Sequence, residues 1–140
     1  MIEIRKLNKK EFDNLIENAP YWAKNPVLSL DNPYAFFNKA EENLGIVVDG
    51  LPIYMGTLFK VKDIYALWTI IRENPKYHFT IYKTAKRIAR KWADKYGKIY
   101  SFTDKTLPLQ IKWVKKMGFN KEGEDNKDVV LALQKEELYV

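Results

Sequence analysis

The sequence predicts an α/β (α+β) fold: a mixed, mostly antiparallel central sheet with helices on both faces, built as one domain from residues 1–140. Three observations predict it. Apolar residues alternate with polar ones at the N-terminus and return in β-rich runs around "LGIVVDGLPIYMGTLF". Two later stretches repeat apolar residues at helical spacing and end in Gly97 and Gly118. The apolar run "KIYSF" lies between those two helices, so the second half alternates strand and helix and makes the sheet mixed.

The elements follow in order. "IEIRKL" sets Ile2 and Ile4 against Glu3 and Arg5, the period of a half-buried first strand. Asn8 can cap the next helix with Glu11 at the capping-box position, and Phe12, Leu15 and Ile16 then recur on one face. Asn18-Ala19-Pro20 ends that helix. From Tyr21 to Asn43 the pattern is weak: two Asn-Pro pairs start turns, and Pro33 opens a short helix carrying Phe36 and Phe37. Leu44–Val48 and Leu51–Phe59 flank Asp49-Gly50, a hairpin signal because both residues tolerate positive φ. A third strand over Tyr65–Ile71 completes the meander. Asn74-Pro75 reads as the N-cap and first position of a helix burying Ile81, Ala85, Ile88, Ala89 and Trp92. After "KIYSF", "PLQIKWVKKMGF" turns Ile111, Val114 and Met117 inward, and "DVVLALQ" is the last strand.

Composition narrows the function classes. Hydrophobic residues at 46% and charged residues at 30% are an ordinary soluble balance, and aromatics at 14% supply bulky core. Without cysteine there is no disulfide or thiolate metal site, and with His78 as the one histidine no His-rich metal site is expected. "MIEIRKLNKKEF" has no apolar h-region, and no apolar run approaches the roughly 20 residues of a membrane span, so a soluble, intracellular protein with no membrane partner is expected. A net charge of +6 permits a polyanionic partner, although 18 acidic residues are interspersed.

"YGKIYSFTDKTLPLQIKWVKKMGFNKEG" resembles the strand, loop and helix ending in Gly-Phe of the GNAT superfamily, the acetyl-CoA-dependent N-acetyltransferases. Gly118-Phe119 matches that pair, and Gly97 matches the end of the family's cofactor helix. Tyr100 to Phe119, with Asp104 and Trp113, is also similar to GNAT-like proteins of tailed bacteriophages, including internal virion proteins. The resemblance implies a GNAT-like fold over nearly the whole chain.

It also implies where a site would lie. The family's Gly-rich loop lets backbone N–H groups approach the CoA pyrophosphate, and its place here is Tyr77–Tyr82. Between Ile71 and Ala85 there is no glycine, and Tyr77 stands at the usual arginine position. Should acetyl-CoA bind, Ile71, His78, Phe79, Thr80 and Lys83 are the positions that would meet it. The fourth strand lacks a carboxylate; Glu73 just past its end is the candidate base, with Asp63 before its start. The general-acid tyrosine aligns with Val114, "TDKTLP" lacks the usual asparagine, and Tyr100 is the candidate substitute, with Tyr82 and His78 behind it.

Each has a plainer role. A histidine near a helix start is more often a surface or capping residue than a base, and Glu73 suits a helix N-terminus by its charge. Tyr100 on a strand is more often core or interface, and Trp68, Trp92 and Trp113 recur on apolar faces. Lys83, Lys86, Arg87, Arg90, Lys91 and Lys95 make one helix face basic, with Lys112, Lys115 and Lys116 on the next helix: a polyanion site or simply a solvated face.

The first expectation is therefore a GNAT-like protein with an eroded acetyl-CoA site and no cofactor. It would be phage-encoded and non-catalytic, sit in the host-cell cytoplasm or the virion, and act by contact with a virion or host protein. The alternatives are an acetyl-CoA-dependent N-acyltransferase with an atypical loop, and a nucleic-acid-binding module using the Lys83–Lys95 face.

Overall fold

The computed structural model describes residues 1–73 and 78–136. The expected cap Asn74-Pro75 and the loop residue Tyr77 lie outside the described residues. The elements are β1 (Ile2–Arg5), α1 (Lys9–Glu17), α2 (Tyr21–Leu28), α3 (Pro33–Asn38), β2 (Glu42–Val48), β3 (Leu51–Val61), β4 (Ile64–Ile71), α4 (His78–Tyr96), β5 (Lys98–Asp104), α5 (Pro108–Lys116), β6 (Asn120–Glu124) and β7 (Asp128–Gln134). The strands run in the order β1-β2-β3-β4-β5-β7-β6. β1/β2, β2/β3, β5/β7 and β6/β7 are antiparallel and β4/β5 is parallel, the mixed, mostly antiparallel sheet that the sequence predicts. Among the described residues no helix is long and apolar enough to cross a membrane. The chain divides into two compact units, Met1–Phe59 with Trp68–Ile81, and Lys60–Leu67 with Tyr82–Val140.

In the first unit α1 begins with the expected capping box: Glu11 N–H donates to Asn8 Oδ1 at 2.8 Å and Asn8 N–H to Glu11 Oε1 at 3.0 Å. That box orients the helix so that Phe12, Leu15 and Ile16 enter a core with Val27, Phe37, Val47, Met55 and Ile70. Phe37, fully buried, lies 5.6 Å from the Phe12 ring and 5.0 Å from Trp68, so Trp68 is a packing residue. Asp49 (φ 50°) and Gly50 (φ 81°) form the turn of the β2–β3 hairpin; there only glycine avoids a Cβ penalty entirely.

Two expectations for this unit change. Ile2 and Ile4 are each 46% exposed rather than half-buried, because β1 is an edge strand and the chain buries Leu7 just beyond it instead. Tyr21–Leu28 is helical although it reads as turn. Pro26 falls in the last turn, where it forfeits one intrahelical bond, and burial of Ala23 and Val27 offsets that loss.

In the second unit α4 buries Ala85, Ile88, Ala89, Trp92 and Ala93, as its 3.6-residue period requires. Gly97 (φ 88°) and Gly118 (φ 104°) end α4 and α5 in the left-handed conformation. Val114 and Met117 are buried, whereas Ile111 is half-buried. β5 pairs with β7 along its whole length, from Lys98↔Gln134 to Asp104↔Asp128, and meets β4 at Ala66↔Tyr100. β6, "NKEGE", is an added edge strand whose apolar alternation is absent from the sequence. Its pairing with β7 and its ion pairs (Glu122–Lys98 at 2.7 Å, Glu124–Lys105 at 3.2 Å) hold it.

Candidate functional site

The exit of β4 is the best-anchored part of the expected site. Ile71 is half-buried, and the next two residues are tied by their backbones. Arg72 N–H donates to Ile53 O at 2.8 Å, and Glu73 N–H to Asn18 O at 2.7 Å. The Arg72 side chain adds a hydrogen bond from Nε to Pro52 O at 2.9 Å and one from Nη2 to Asn14 Oδ1. Partial burial lowers the Arg72 pKa from its ordinary value, the expected response of a cation drawn out of water. The Glu73 side chain projects from this pinned backbone into solvent. Arg72 is the residue that sequence reasoning missed; the one signal for it was a cation directly after an apolar strand.

His78, Phe79 and Thr80 form the first described turn of α4. His78 is exposed, Phe79 is 68% exposed and Thr80 is half-buried. A pyrophosphate held by backbone N–H groups needs a close approach that side chains obstruct. Every described residue from Ile71 to Ala85 carries a Cβ, and Phe79 adds a whole ring. These residues do not fit a glycine-lined pyrophosphate cradle.

The remaining candidates belong to the second unit. Lys83 is exposed on α4. Tyr100 is half-buried on β5, its ring stacked on Phe102 (6.2 Å between centroids, 22° between planes) with Lys98 Nζ 5.0 Å from its own centroid. Lys98 has its pKa raised first by its hydrogen bond to Glu122 and then by the Tyr100 hydroxyl. Tyr100 thus sits in a strand-face stack beside an ion pair. Val114, where the resemblance expects a general-acid tyrosine, is only 2% exposed. The Tyr82 hydroxyl donates to Lys116 O at 2.6 Å, which fixes it as a strut between α4 and α5.

Asp104 has a local role. Its Oδ1 accepts from Thr106 Oγ1 at 2.6 Å and from Thr106 N–H at 2.8 Å, which holds the carboxyl below its usual range and shapes the turn into α5. Ile71, Glu73, His78, Phe79 and Thr80 therefore share the first unit, and Lys83 and Tyr100 the second. A surface concavity elsewhere is lined by Lys9, Lys10, Asp13, Asn14 and Glu17 of α1 and its ion pair Lys9–Asp13 at 2.8 Å; it is a solvated stretch of one helix face.

No protein-family model and no curated protein matches this chain. Solved structures do. The chain is similar to the GNAT-family acetyltransferase from Bacillus anthracis, with a TM-score of 0.70 and 15% identity over 97% of this chain and 96% of that one. It is similar to the ribosomal-protein-S18-alanine N-acetyltransferase from Escherichia coli, with a TM-score of 0.69 and 13% identity over 100% of both chains. It is also similar to the PaiA N-acetyltransferase from Thermoplasma acidophilum in complex with coenzyme A (TM-score 0.65, 18% identity, 96% of this chain and 99% of that one). At such identities the likeness is one of fold, and the fold is GNAT.

Proposed function

We propose that this GNAT-fold chain is non-catalytic and works by contact with another protein, as a phage-encoded virion or host-takeover component. The observation that carries the reading is the burial of Val114: where the sequence resemblance expects a general-acid tyrosine, this chain has an enclosed aliphatic side chain with no proton to give. Phe79 supports it, since a ring left 68% exposed on the first described turn of α4 suits a protein contact better than a phosphate. The phage assignment is supported by the Tyr100–Phe119 resemblance. A fold hosts sites without creating them, so the GNAT fold leaves this reading open.

A second reading is an acyltransferase that holds acetyl-CoA through an atypical loop. It is supported by the fold and by the coenzyme A bound to the Thermoplasma acidophilum enzyme. Calorimetric titration of acetyl-CoA and of CoA into the purified protein separates the two. The non-catalytic reading expects no binding at millimolar ligand. Micromolar binding overturns it and makes an amine-acceptor screen the next step.

A further inference from the structure

The charge of this chain is segregated. α4 carries Lys83, Lys86, Arg87, Arg90, Lys91 and Lys95 against the single acid Asp94, and α5 carries Lys112, Lys115 and Lys116 with no acid. Nine positive charges and one negative give these two helices +8, whereas the chain as a whole carries +6. Everything outside them therefore sums to −2. The charged residues of both helices belong to the second unit. The Tyr82–Lys116 hydrogen bond sets the C-terminal end of α5 beside Tyr82 of α4, whose ring Lys86 overlies at 5.9 Å.

The ion pairs sharpen the contrast. On and beside the strands of this unit Lys98 pairs with Glu122, and Lys105 and Lys121 share Glu124. On the helices, Arg90 meets Asp94 at 3.7 Å and also donates to Gln134 O at 2.9 Å. Arg87, Lys91, Lys112, Lys115 and Lys116 are exposed or partly so and have no carboxylate within ion-pairing distance among the described residues. Such a face repels itself unless an anion covers it.

We infer that the exposed face of α4 and α5 is a docking surface for the phosphate backbone of duplex nucleic acid, read without regard to sequence. Lys83 to Lys95 span about 18 Å of helix axis, at 1.5 Å per residue, and carry six cations against Asp94, which lies at the far end and pairs with Arg90. A uniformly charged backbone complements that better than a protein surface, whose contact would need an apolar centre. The exposed large apolar side chains of these helices, Phe79 (68%) and Leu109 (81%), lie at the start of α4 and of α5, outside the Lys83–Lys95 and Lys112–Lys116 runs, so the charged runs themselves carry no apolar wedge. Single strands are held by stacking bases on bare rings. Here Lys86 lies over Tyr82 at 5.9 Å and Lys95 over Tyr96 at 5.2 Å. The inference stands apart from the CoA question, because it uses solvent-facing charges and none of the expected catalytic positions.

The test is fluorescence anisotropy of a labelled 20-base-pair DNA duplex titrated with the intact protein, repeated with the single strand and, by sedimentation, with phosphatidylserine vesicles. With about four to six phosphates neutralised, a rise from 50 to 200 mM salt should weaken duplex binding about 10²- to 10³-fold. Arg87→Glu with Lys91→Glu should abolish binding at 50 mM salt and leave the far-UV circular dichroism unchanged. Lys10→Glu with Lys39→Glu makes the same change in net charge on the first unit and should leave binding within about threefold. No duplex binding at 50 mM salt overturns the inference. So does equal loss in both double variants, which would make the attraction one of net charge. Tighter binding to vesicles or to the single strand also overturns it and assigns the face to that ligand.

Discussion

At the scale of single residues, Gly56 and Tyr54 show what a sequence leaves unsaid. Tyr54 is 1% exposed, and burial pushes its hydroxyl pKa up, because the ionised form loses its water. A Cβ on Gly56 would stand 2.6 Å from the Tyr54 hydroxyl oxygen and 3.1 Å from its ring edge. The hydroxyl is at the far end of a side chain, but that side chain is enclosed and has little room to give. Gly56→Ala should therefore destabilise the protein by about 1–3 kcal/mol through overpacking. Urea unfolding followed by circular dichroism checks this; an unchanged midpoint would mean the ring yields freely. "IYMGTLF" is legible as a strand from its composition. That its glycine accommodates a tyrosine two residues earlier depends on how β3 is packed, which no local pattern encodes.

Among the elements, α1 was the most legible. Asn8 and Glu11 stand at capping-box spacing, and the structure forms both bonds. The sequence did not reveal that Arg5 clasps the same carboxylate with two bonds of 2.8 Å each. That clasp, chiefly, holds the Glu11 pKa at about 2 against a usual 4.5. A depressed carboxylate pKa contributes stability that is fully present above the unfolded value and is lost as pH falls toward the folded one. Unfolding midpoints should thus fall between pH 5 and pH 2.5 more steeply for the parent than for Glu11→Gln, which has nothing to protonate. Parallel curves would show that the solvent-exposed Arg5 contributes nothing measurable. α2 and β6 mark the other limit. Pro26 gives α2 a turn's signature, and β6 has no apolar face, so one is set by burial of Ala23 and Val27 and the other by pairing with β7.

For the whole molecule, the sequence resemblance expects an acid at Val114, and the surrounding core, which buries that side chain, decides what can stand there. Val114→Tyr should cost about 1–3 kcal/mol, since a position 2% exposed has no room for the added ring. Thiol release from acetyl-CoA should remain at the parental level. A variant that kept its melting temperature and released thiol would show that the site lacked only its acid. The charge of the molecule follows the opposite logic. Net +6 is visible in the composition, but its concentration on α4 and α5 takes force from where the carboxylates lie: Glu122 and Glu124 pair with lysines on or beside the strands, whereas Asp94, paired with Arg90, is the one acid of the two helices.

The sequence by itself determined the fold class, four of the five helices, six of the seven strands, the Asp49-Gly50 turn and the inward face of α4. These follow from periodicity, caps and turn chemistry, which act over a few neighbouring residues. Only the tertiary structure decided that Ile2 and Ile4 stay exposed, that Trp68 packs with Phe37, that Arg72 ties β4 to β3 and α1, and that Tyr82 braces α5. Each of those joins residues more than a dozen positions apart or turns on what covers a sheet edge. Such contacts are settled by packing, once the local elements have met.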